Sequence, residues 1–203
     1  MFKKSLLGSM LVVGMVLLTY AMAEEKSAGP SIGAPAPLFS LQDQNGKTVS
    51  LADFSGKIVV LEWFNNECPF VKKQYKTGNM NSLAKKYGEQ GVIWLAINTT
   101  EGKTNADNKA IASEWNMDRP ILNDSAGDVG HAYKSQNTPT MYIIDKQGTL
   151  AYWGAIDSKP TPDASDISSS TNYVAKALDE MLAGQSVSEP KTKAYGCSVK
   201  YAK

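Results

Sequence analysis

The chain has 203 residues, of which 42% are hydrophobic and 20% are charged, and its formal net charge is +1. A charge this close to zero gives no electrostatic reason to expect nucleic acid or an anionic membrane as a partner. A single histidine excludes a histidine-rich metal site, and two cysteines are too few for a disulfide-rich scaffold. The length suits one domain with a hydrophobic core, with or without tails.

The first 23 residues have the pattern of a secretory signal peptide. Residues 1–4 carry two lysines, residues 6–20 are almost wholly apolar, and Ala21 and Ala23 are the small residues of a cleavage site. An uncleaved anchor is the alternative, but the apolar core is shorter than the ~20 residues that a spanning helix needs. Cleavage after Ala23 removes two lysines, which takes the net charge from +1 to −1. The remaining chain is expected to be periplasmic or secreted, not membrane-bound, in a compartment where disulfides persist.

Residues 24–36 are small and polar, rich in glycine and proline, and predict a flexible lead-in. Two short alternating runs follow, separated by a turn that contains Asn45-Gly46. These two residues tolerate positive φ, so the segment predicts a β-hairpin. The run 58–64 is apolar nearly throughout and predicts a central strand.

The rest of the chain alternates between helical and strand patterns. They predict a helix over 69–90 that Gly78-Asn79 could kink, a strand at 92–97, a helix over 105–117, a short strand at 119–124, a short helix over 127–134, antiparallel strands at 141–144 and 149–155, and a last helix over 172–182. This order predicts one α/β domain over 37–184, with a mixed sheet flanked by helices. The tail 185–203 shows no period and is expected to be mobile.

Cys68 stands at the junction of the predicted central strand and the helix that follows. Unpaired N–H groups and the positive end of the helix dipole favour the thiolate there, and only the thiolate is nucleophilic. Pro69 fixes the first helical turn, and Lys72 and Lys73, one turn on, could add positive charge. The alternative is an inert buried cysteine, against which the polar run Asn65–Glu67 argues. We therefore predict a reactive cysteine.

Glu62 is an acid on an otherwise apolar strand. Burying an ionised carboxylate is costly, so its pKa should rise, which would fit it to exchange a proton with Cys68. The alternative is an edge residue that faces solvent.

Two segments resemble the halves of a thioredoxin-type active site. "VVLEWFNNECPFVKK" aligns without a gap on a strand that ends in an acid, two aromatic residues and then C-x-x-C-K. In this resemblance Cys68 matches the nucleophilic cysteine, Glu62 the buried acid, and Val71 the position of the second cysteine. "NTPTMYIIDKQGTLAYWG" matches the other half, with Thr138 and Pro139 at the cis-proline beside the sulfur.

The lead-in "GAPAPLFSLQDQNGKTVSLADFSGKIVVL" is similar to the start of the redoxins, which include alkyl hydroperoxide reductase and thiol-specific antioxidant proteins. The likeness covers about residues 33–156. It implies a thioredoxin-like fold and a thiol-dependent oxidoreductase without organic cofactor or metal. It also implies that the substrate is a thiol, disulfide or hydroperoxide, carried by a protein or a small molecule. The electron donor would be an external thiol. Asn65, Phe70, Thr138 and Pro139 would shape the substrate cleft.

The chain departs from the family patterns at several positions. Without a cysteine at Val71, the C-x-x-C cycle cannot run. The residues that accompany a peroxidatic cysteine are missing too, because Asn65 and Leu61 stand where threonine and proline are expected and the only arginine is Arg119. A copper site of the thioredoxin-like chaperones would need a cysteine at Lys72.

Cys197, in the tail, is the remaining candidate partner of Cys68. It could resolve a sulfenic acid or mixed disulfide on Cys68, close a permanent disulfide, or pair with another molecule. The favoured prediction is a secreted thiol–disulfide oxidoreductase with Cys68 as nucleophile and Cys197 as resolving residue. The alternatives are a weak thiol-dependent hydroperoxidase and a non-catalytic binding module with a structural disulfide.

Overall fold

The computed structural model describes residues 29–202, so the predicted signal peptide lies outside the described residues. Within that range, no helix is both long and apolar enough to cross a bilayer. The strands are β1 Ser40–Gln42, β2 Thr48–Ser50, β3 Val59–Trp63, β4 Ile93–Asn98, β5 Ile121–Asn123, β6 Asn137–Thr138, β7 Thr140–Ile144, β8 Leu150–Gly154 and β9 Cys197–Ser198. A seven-stranded mixed sheet forms the middle layer, in the order β2-β1-β5-β4-β3-β7-β8, and β6 and β9 form a second, two-stranded sheet. The helices are α1 Pro69–Lys76, α2 Asn79–Gly88, α3 Asn105–Glu114, α4 Asp128–Ala132 and α5 Tyr173–Leu182, with 3₁₀ turns at Leu51–Phe54 and Ala164–Ser169.

Strand β3 is the centre of the large sheet, as its apolar sequence predicts. It pairs in parallel with β4 and antiparallel with β7, and all five of its residues are buried. Successive side chains point to opposite faces of a strand. Val60 therefore packs with the core cluster that contains residues of α1, α2 and α5, and Leu61 packs with the cluster on the other face. A mixed sheet with helices on its faces confirms the predicted thioredoxin-like α/β fold.

The N-terminal hairpin is also as predicted, with Gly46 at φ +79° in the turn between β1 and β2. The long helix expected over 69–90 is two helices. Gly78 adopts φ +73°, a left-handed conformation that ends helical geometry between α1 and α2.

The prediction of a flexible lead-in over 24–36 is wrong for its last residues. The backbone N–H of Gly33 donates to the Leu150 carbonyl at 2.9 Å, and the N–H of Leu150 donates to the Ala34 carbonyl at 2.9 Å. The lead-in thus covers part of β8, the last strand of the sheet, whose outer edge would otherwise present unpaired backbone groups.

Candidate active site

Cys68 occupies the N-cap of α1, immediately after β3. Its φ and ψ of −71° and 122° are extended, and Pro69 is the first helical residue. The Cys68 carbonyl already accepts a helical hydrogen bond from the Lys72 N–H at 2.9 Å. This is the predicted strand-to-helix junction. The residue is only 2% exposed, because other segments cover the sulfur.

The second cysteine lies at the same point in space. The Cys68 Sγ donates to the Thr138 carbonyl at 3.1 Å, and in the β6–β9 pair Thr138 is the direct partner of Cys197. Both cysteines are free thiols. The Thr138–Pro139 peptide bond is cis, as the resemblance implies. Strand pairing therefore brings together Cys68, Cys197, Thr138 and Pro139.

The surroundings of Cys68 favour its thiolate. Burial of the sulfur would raise the pKa of Cys68, but hydrogen bonds from the Cys197 thiol, the Thr138 side chain and the Val71 backbone N–H together lower the pKa below the ordinary cysteine value. The Thr138 hydroxyl is buried and has no hydrogen-bond partner within residues 29–202, so it is free to donate to the Cys68 thiolate. Burial and the neighbouring Cys68 raise the pKa of Cys197 to about 11. Cys68 is thus the thiol that ionises first.

This asymmetry makes a testable prediction. Replacing Cys197 by alanine removes a hydrogen-bond donor, so the pKa of Cys68 should rise above its value in Cys197→Ser, which keeps a donor. The pH titration of thiolate absorbance at 240 nm measures this pKa in both variants. Because folding lowers this pKa, the thiolate stabilises the fold at high pH, and that contribution is lost as pH falls through the folded value. Identical titrations would contradict a role for the Cys197 donor.

The two lysines predicted to stabilise the thiolate do not contact it. The Lys73 Nζ lies 3.7 Å from the Asp157 Oδ2 and donates to the Lys159 carbonyl at 3.1 Å, with the Lys73 side chain fully buried. The Lys72 side chain forms no hydrogen bond or ion pair with any residue of 29–202, and Lys72 is half-buried. Neither lysine is among the groups that lower the pKa of Cys68. The sequence showed the positive charges but not the buried aspartate that takes one of them.

Glu62 is fully buried and lies in a polar network on the helix-covered face of β3. The Tyr75 hydroxyl donates to its Oε1 at 2.7 Å, the Trp94 Nε1 donates to its Oε2 at 3.1 Å, and the Arg119 Nη2 lies 3.6 Å from Oε2. Arg119 also donates to the Tyr75 hydroxyl at 2.7 Å and to the Asn81 Oδ1 at 2.9 Å. The alternative of a solvent-facing Glu62 is therefore wrong.

Burial raises the pKa of Glu62 above its ordinary value, although Arg119 and the hydrogen-bond donors oppose this shift. The predicted direction is confirmed. Both carboxylate oxygens are occupied by Tyr75, Trp94 and Arg119, and Cys68 is not among the hydrogen-bond partners of Glu62 within residues 29–202. The network joins β3, β4 and α1. Glu62 and Cys68 are not in direct contact, so the structure shows no direct path for the predicted proton exchange between them.

Asn65 and Phe70 lie on either side of Cys68 in the chain. The Asn65 Oδ1 accepts the Glu67 N–H at 2.7 Å, and the Asn65 carbonyl accepts the Cys68 N–H at 3.1 Å, so Asn65 builds the turn that presents Cys68. The Phe70 ring lies 5.8 Å, centroid to centroid, from the ring of Tyr195. Phe70 therefore contacts the tail that carries Cys197.

The tail, expected to be mobile, is docked along the body. The Trp153 N–H donates to the Pro190 carbonyl at 3.0 Å, and the Thr192 N–H donates to the Trp153 carbonyl at 3.2 Å. The Thr192 hydroxyl accepts the Ala155 N–H at 2.9 Å. These bonds continue the edge of β8, and the tail leaves that edge in the direction of Cys68.

Beyond Cys197 the tail stays attached. The Val199 N–H donates to the Gln136 carbonyl at 3.0 Å, and the Tyr201 hydroxyl donates to the Ser135 carbonyl at 2.6 Å. The Tyr201 ring stacks on His131 at 4.1 Å between centroids. Anchors on both sides of Cys197 thus fix its position at Thr138.

Gly196 allows the tail to approach this closely. It adopts φ +123°, and a Cβ at this position would lie 2.0 Å from the Thr138 carbonyl oxygen and 2.8 Å from its carbon. Any side chain would collide with the backbone that also accepts the Cys68 thiol. Gly196 is therefore required for the contact between the tail and Thr138.

Asp157 and Tyr195, which hold the tail, are not predicted from the sequence. Asp157 begins a polar segment rich in serine and proline, and nothing in this composition indicates that its side chain is buried. The only available signal was that Tyr195 lies two residues before Cys197.

The fold and the paired thiols define a redox protein of the thioredoxin-like class. The model of the AhpC/TSA family matches residues 32–153, and the chain belongs to that family. It is 33% identical to thiol-disulfide oxidoreductase ResA of Bacillus thuringiensis over 64% of this chain and 72% of the relative. ResA of Bacillus subtilis is 31% identical over 69% of this chain and 78% of the relative.

A solved structure shares almost the whole described chain. An uncharacterized conserved protein from Geobacillus kaustophilus superposes with a TM-score of 0.74 at 31% identity, covering 85% of this chain and 93% of that one. The agreement extends the thioredoxin-like fold beyond the segment that the family model matches. The named relatives support a thiol-dependent oxidoreductase.

Proposed function

We propose that this thiol-dependent oxidoreductase exchanges disulfides with Cys68 as its nucleophile and Cys197 as its resolving cysteine. The observation that carries the proposal is the convergence of both sulfurs on Thr138, whose carbonyl lies 3.1 Å from the Cys68 Sγ and whose strand partner is Cys197. Neither cysteine has a second cysteine within its own segment, so the tail supplies what a C-x-x-C motif supplies elsewhere.

The first step is attack on a substrate disulfide. The Cys68 thiolate, favoured by its lowered pKa, forms a bond to one substrate sulfur, and the other substrate sulfur leaves as a thiolate with the bonding pair. The product is a mixed disulfide on Cys68. The tail must move aside for this step, because in the resting protein Cys68 is 2% exposed.

The second step is attack by Cys197 on the Cys68 sulfur. The nearby Cys68 contributes to the raised pKa of Cys197, and in the mixed disulfide that sulfur can no longer be ionised. Cys197 then loses its proton more readily, bonds to Cys68, and expels the substrate sulfur as a second thiolate. The substrate is reduced by two electrons, the protein holds a Cys68–Cys197 disulfide, and an external thiol donor restores the dithiol.

The thiol reagent 5,5′-dithiobis(2-nitrobenzoate), supplied at one equivalent, tests the two roles. Wild-type protein should release two coloured thiolates per chain, the first from attack by Cys68 and the second from resolution by Cys197. Cys197→Ser should release only one and keep the other as a mixed disulfide, because no thiol is left to resolve it. Absorbance at 412 nm measures the release, and mass spectrometry detects the retained adduct.

Cys68→Ser is the matched control for that experiment. It leaves only Cys197, whose pKa is still raised by burial although the contribution of Cys68 is gone, and the reaction should slow by about tenfold relative to attack by the Cys68 thiolate. If Cys197→Ser released two equivalents, or if Cys68→Ser reacted as fast as wild type, the assignment of roles would be overturned.

Two alternatives are separated by simple measurements. A hydroperoxidase would turn over hydrogen peroxide with a thiol reductant and lose that activity in Cys68→Ser. The structure does not favour this alternative, because the only arginine, Arg119, is bound to Glu62 and Tyr75 instead of facing the sulfur. A binding module with a static disulfide would hold its Cys68–Cys197 bond in glutathione buffers poised near −300 mV, whereas a catalytic pair would be reduced there.

We further propose that the protein acts outside the cytoplasm, in the periplasm or the medium. The proposal is supported by the signal pattern of residues 1–23 and by chemistry that suits an oxidising compartment. Mass spectrometry of the mature protein should find Glu24 at the N-terminus, and an intact Met1 would contradict export with cleavage.

A further inference from the structure

One tail residue is tied to a buried charge next to the site. The Tyr195 hydroxyl donates to the Asp157 Oδ1 at 2.6 Å, and Tyr195 lies two residues before Cys197. Asp157 is only 2% exposed. A hydrogen bond to a buried carboxylate is among the stronger kinds in a protein.

Asp157 is held firmly by the body of the protein. The Gln74 Nε2 donates to its Oδ2 at 2.7 Å, the Lys73 Nζ lies 3.7 Å from the same oxygen, and the Lys159 N–H donates to its Oδ1 at 2.8 Å. Lys73 and Gln74 belong to α1, the helix that begins next to Cys68. The acceptor for Tyr195 therefore has a fixed position relative to the Cys68 sulfur.

The ring of Tyr195 adds an apolar contact to the same helix. Its centroid lies 5.8 Å from that of Phe70, the second residue of α1. Tyr195 thus touches α1 through its ring and is tied to residues of α1 through Asp157. Both contacts act on the chain just before Cys197.

We infer that Tyr195 is a positioning residue whose hydrogen bond to Asp157 returns Cys197 to the Cys68 sulfur after each substrate attack. The inference rests on the proposed function, in which the tail is displaced in the mixed disulfide and docked in both the dithiol and the disulfide. A bond made only when the tail is docked favours those two states and disfavours the intermediate. It therefore raises the effective concentration of Cys197 for resolution.

Loss of this bond has effects of opposite sign on the two chemical steps. The first step becomes faster because the tail leaves Cys68 more easily, and the second becomes slower because the tail returns less often. The overall dithiol–disulfide equilibrium stays the same, since the tail is docked at both ends of the reaction. A residue with only a structural role would not move the two steps in opposite directions.

The test follows both phases of thiolate release with one equivalent of 5,5′-dithiobis(2-nitrobenzoate), in wild type and in Tyr195→Phe. The variant keeps the ring against Phe70 and loses the hydroxyl. We expect a first phase that is several-fold faster and a second, concentration-independent phase that is about tenfold slower. The potential in glutathione buffers should shift by less than the ~30 mV that a tenfold change in equilibrium constant produces.

Tyr87→Phe is the matched control. The Tyr87 hydroxyl also donates to an aspartate, Asp179, at 2.8 Å, and its hydrogen-bond partners Lys86, Ala175 and Asp179 all lie outside the tail. This variant should lose stability without changing either phase. Tyr195→Leu, which keeps apolar bulk but no hydroxyl, should reproduce the two opposite shifts if Tyr195→Phe folds poorly.

The outcomes separate the two proposals. A wild type without an intramolecular second phase would overturn the proposed function itself. The positioning role would be overturned if the wild type shows that second phase and the Tyr195 variants either keep both wild-type rates or slow in both phases. The roles of the two cysteines would then remain intact.

Discussion

Replacing Gly196 by alanine should disconnect Cys197 from Cys68 and slow resolution by about 100-fold, because a displacement of about 1 Å can cost this much in rate. The new Cβ would lie 2.0 Å from the Thr138 carbonyl oxygen, and the backbone φ of +123° is itself unfavourable for alanine. Neither conflict can be relieved by a side-chain rotation, so β9 must leave β6. The second phase of thiolate release measures the loss, and the first phase should become faster as Cys68 is uncovered.

Gly184→Ala separates the steric collision from the cost of positive φ. Gly184 has φ +74°, but a Cβ there would meet no atom within 4 Å. This control should lose some stability and keep the wild-type rate of resolution. A Gly196→Ala protein that resolves mixed disulfides as fast as Gly184→Ala would show that the β6–β9 contact does not position Cys197.

Replacing Arg119 by methionine should destabilise the fold by about 3–5 kcal/mol, the usual cost of leaving one partner of a buried ion pair alone. The Arg119 Nη2 lies 3.6 Å from the Glu62 Oε2, and the two side chains are 6% and 0% exposed. Arg119 also donates to Tyr75 and Asn81, so α1, α2 and β3 all lose a contact. The free energy of unfolding in urea measures the effect.

The pH dependence of that loss identifies its cause. Burial raises the pKa of Glu62 above the unfolded value of 4.5, so the folded protein binds this proton more tightly and stability falls as pH rises from 4.5 through the folded pKa. Arg119 carries a positive charge that lowers the pKa of Glu62, so its removal raises this pKa further. The loss of stability with rising pH should therefore be larger in the variant. The variant should therefore lose less at about pH 5 than at pH 8.

Glu62→Gln in the Arg119→Met background completes a double-mutant cycle. A neutral amide does not need the lost guanidinium, so the double variant should recover part of the stability and lose the pH dependence. Equal destabilisation at both pH values, with no coupling to Glu62→Gln, would contradict the account of this ion pair.

The central strand, the helix after it and the cysteine between them could be predicted because each is encoded locally. The apolar run before Glu62 can only be buried, Pro69 favours a helix start, and polar residues before Cys68 argue against an inert core position. The segments around Cys68 and around Thr138-Pro139 each resemble one half of a thioredoxin-type active site. This resemblance predicts that the two segments lie side by side.

The remainder of the site depends on contacts that leave no local pattern. Tyr195 and Asp157 are 38 residues apart in the sequence, and Tyr75 and Arg119 are 44 apart. The tail has no 2- or 3.6-residue period because it is held by a few backbone bonds and single side chains. The sequence predicts that Lys73 adds positive charge near Cys68, and only the folded chain shows that its partner is the buried Asp157.

In the proposed function the nucleophile lies at the strand-to-helix junction, as the resemblance to the thioredoxin-type site implies, and the resolving sulfur comes from the C-terminal tail. The fold places the N-cap of α1 against the end of β6, and strand pairing with β9 puts Cys197 in register with Thr138. One short strand, β9, thus places Cys197 beside the carbonyl group that accepts the Cys68 thiol.

The most direct test is peptide mapping by mass spectrometry under non-reducing conditions, after the reduced protein reacts with one equivalent of oxidised glutathione. We expect one peptide pair linked through Cys68 and Cys197 within a single chain, with two glutathione molecules released. Glutathione retained on Cys68 beside a reduced Cys197, or a link between Cys197 residues of two chains, would contradict it.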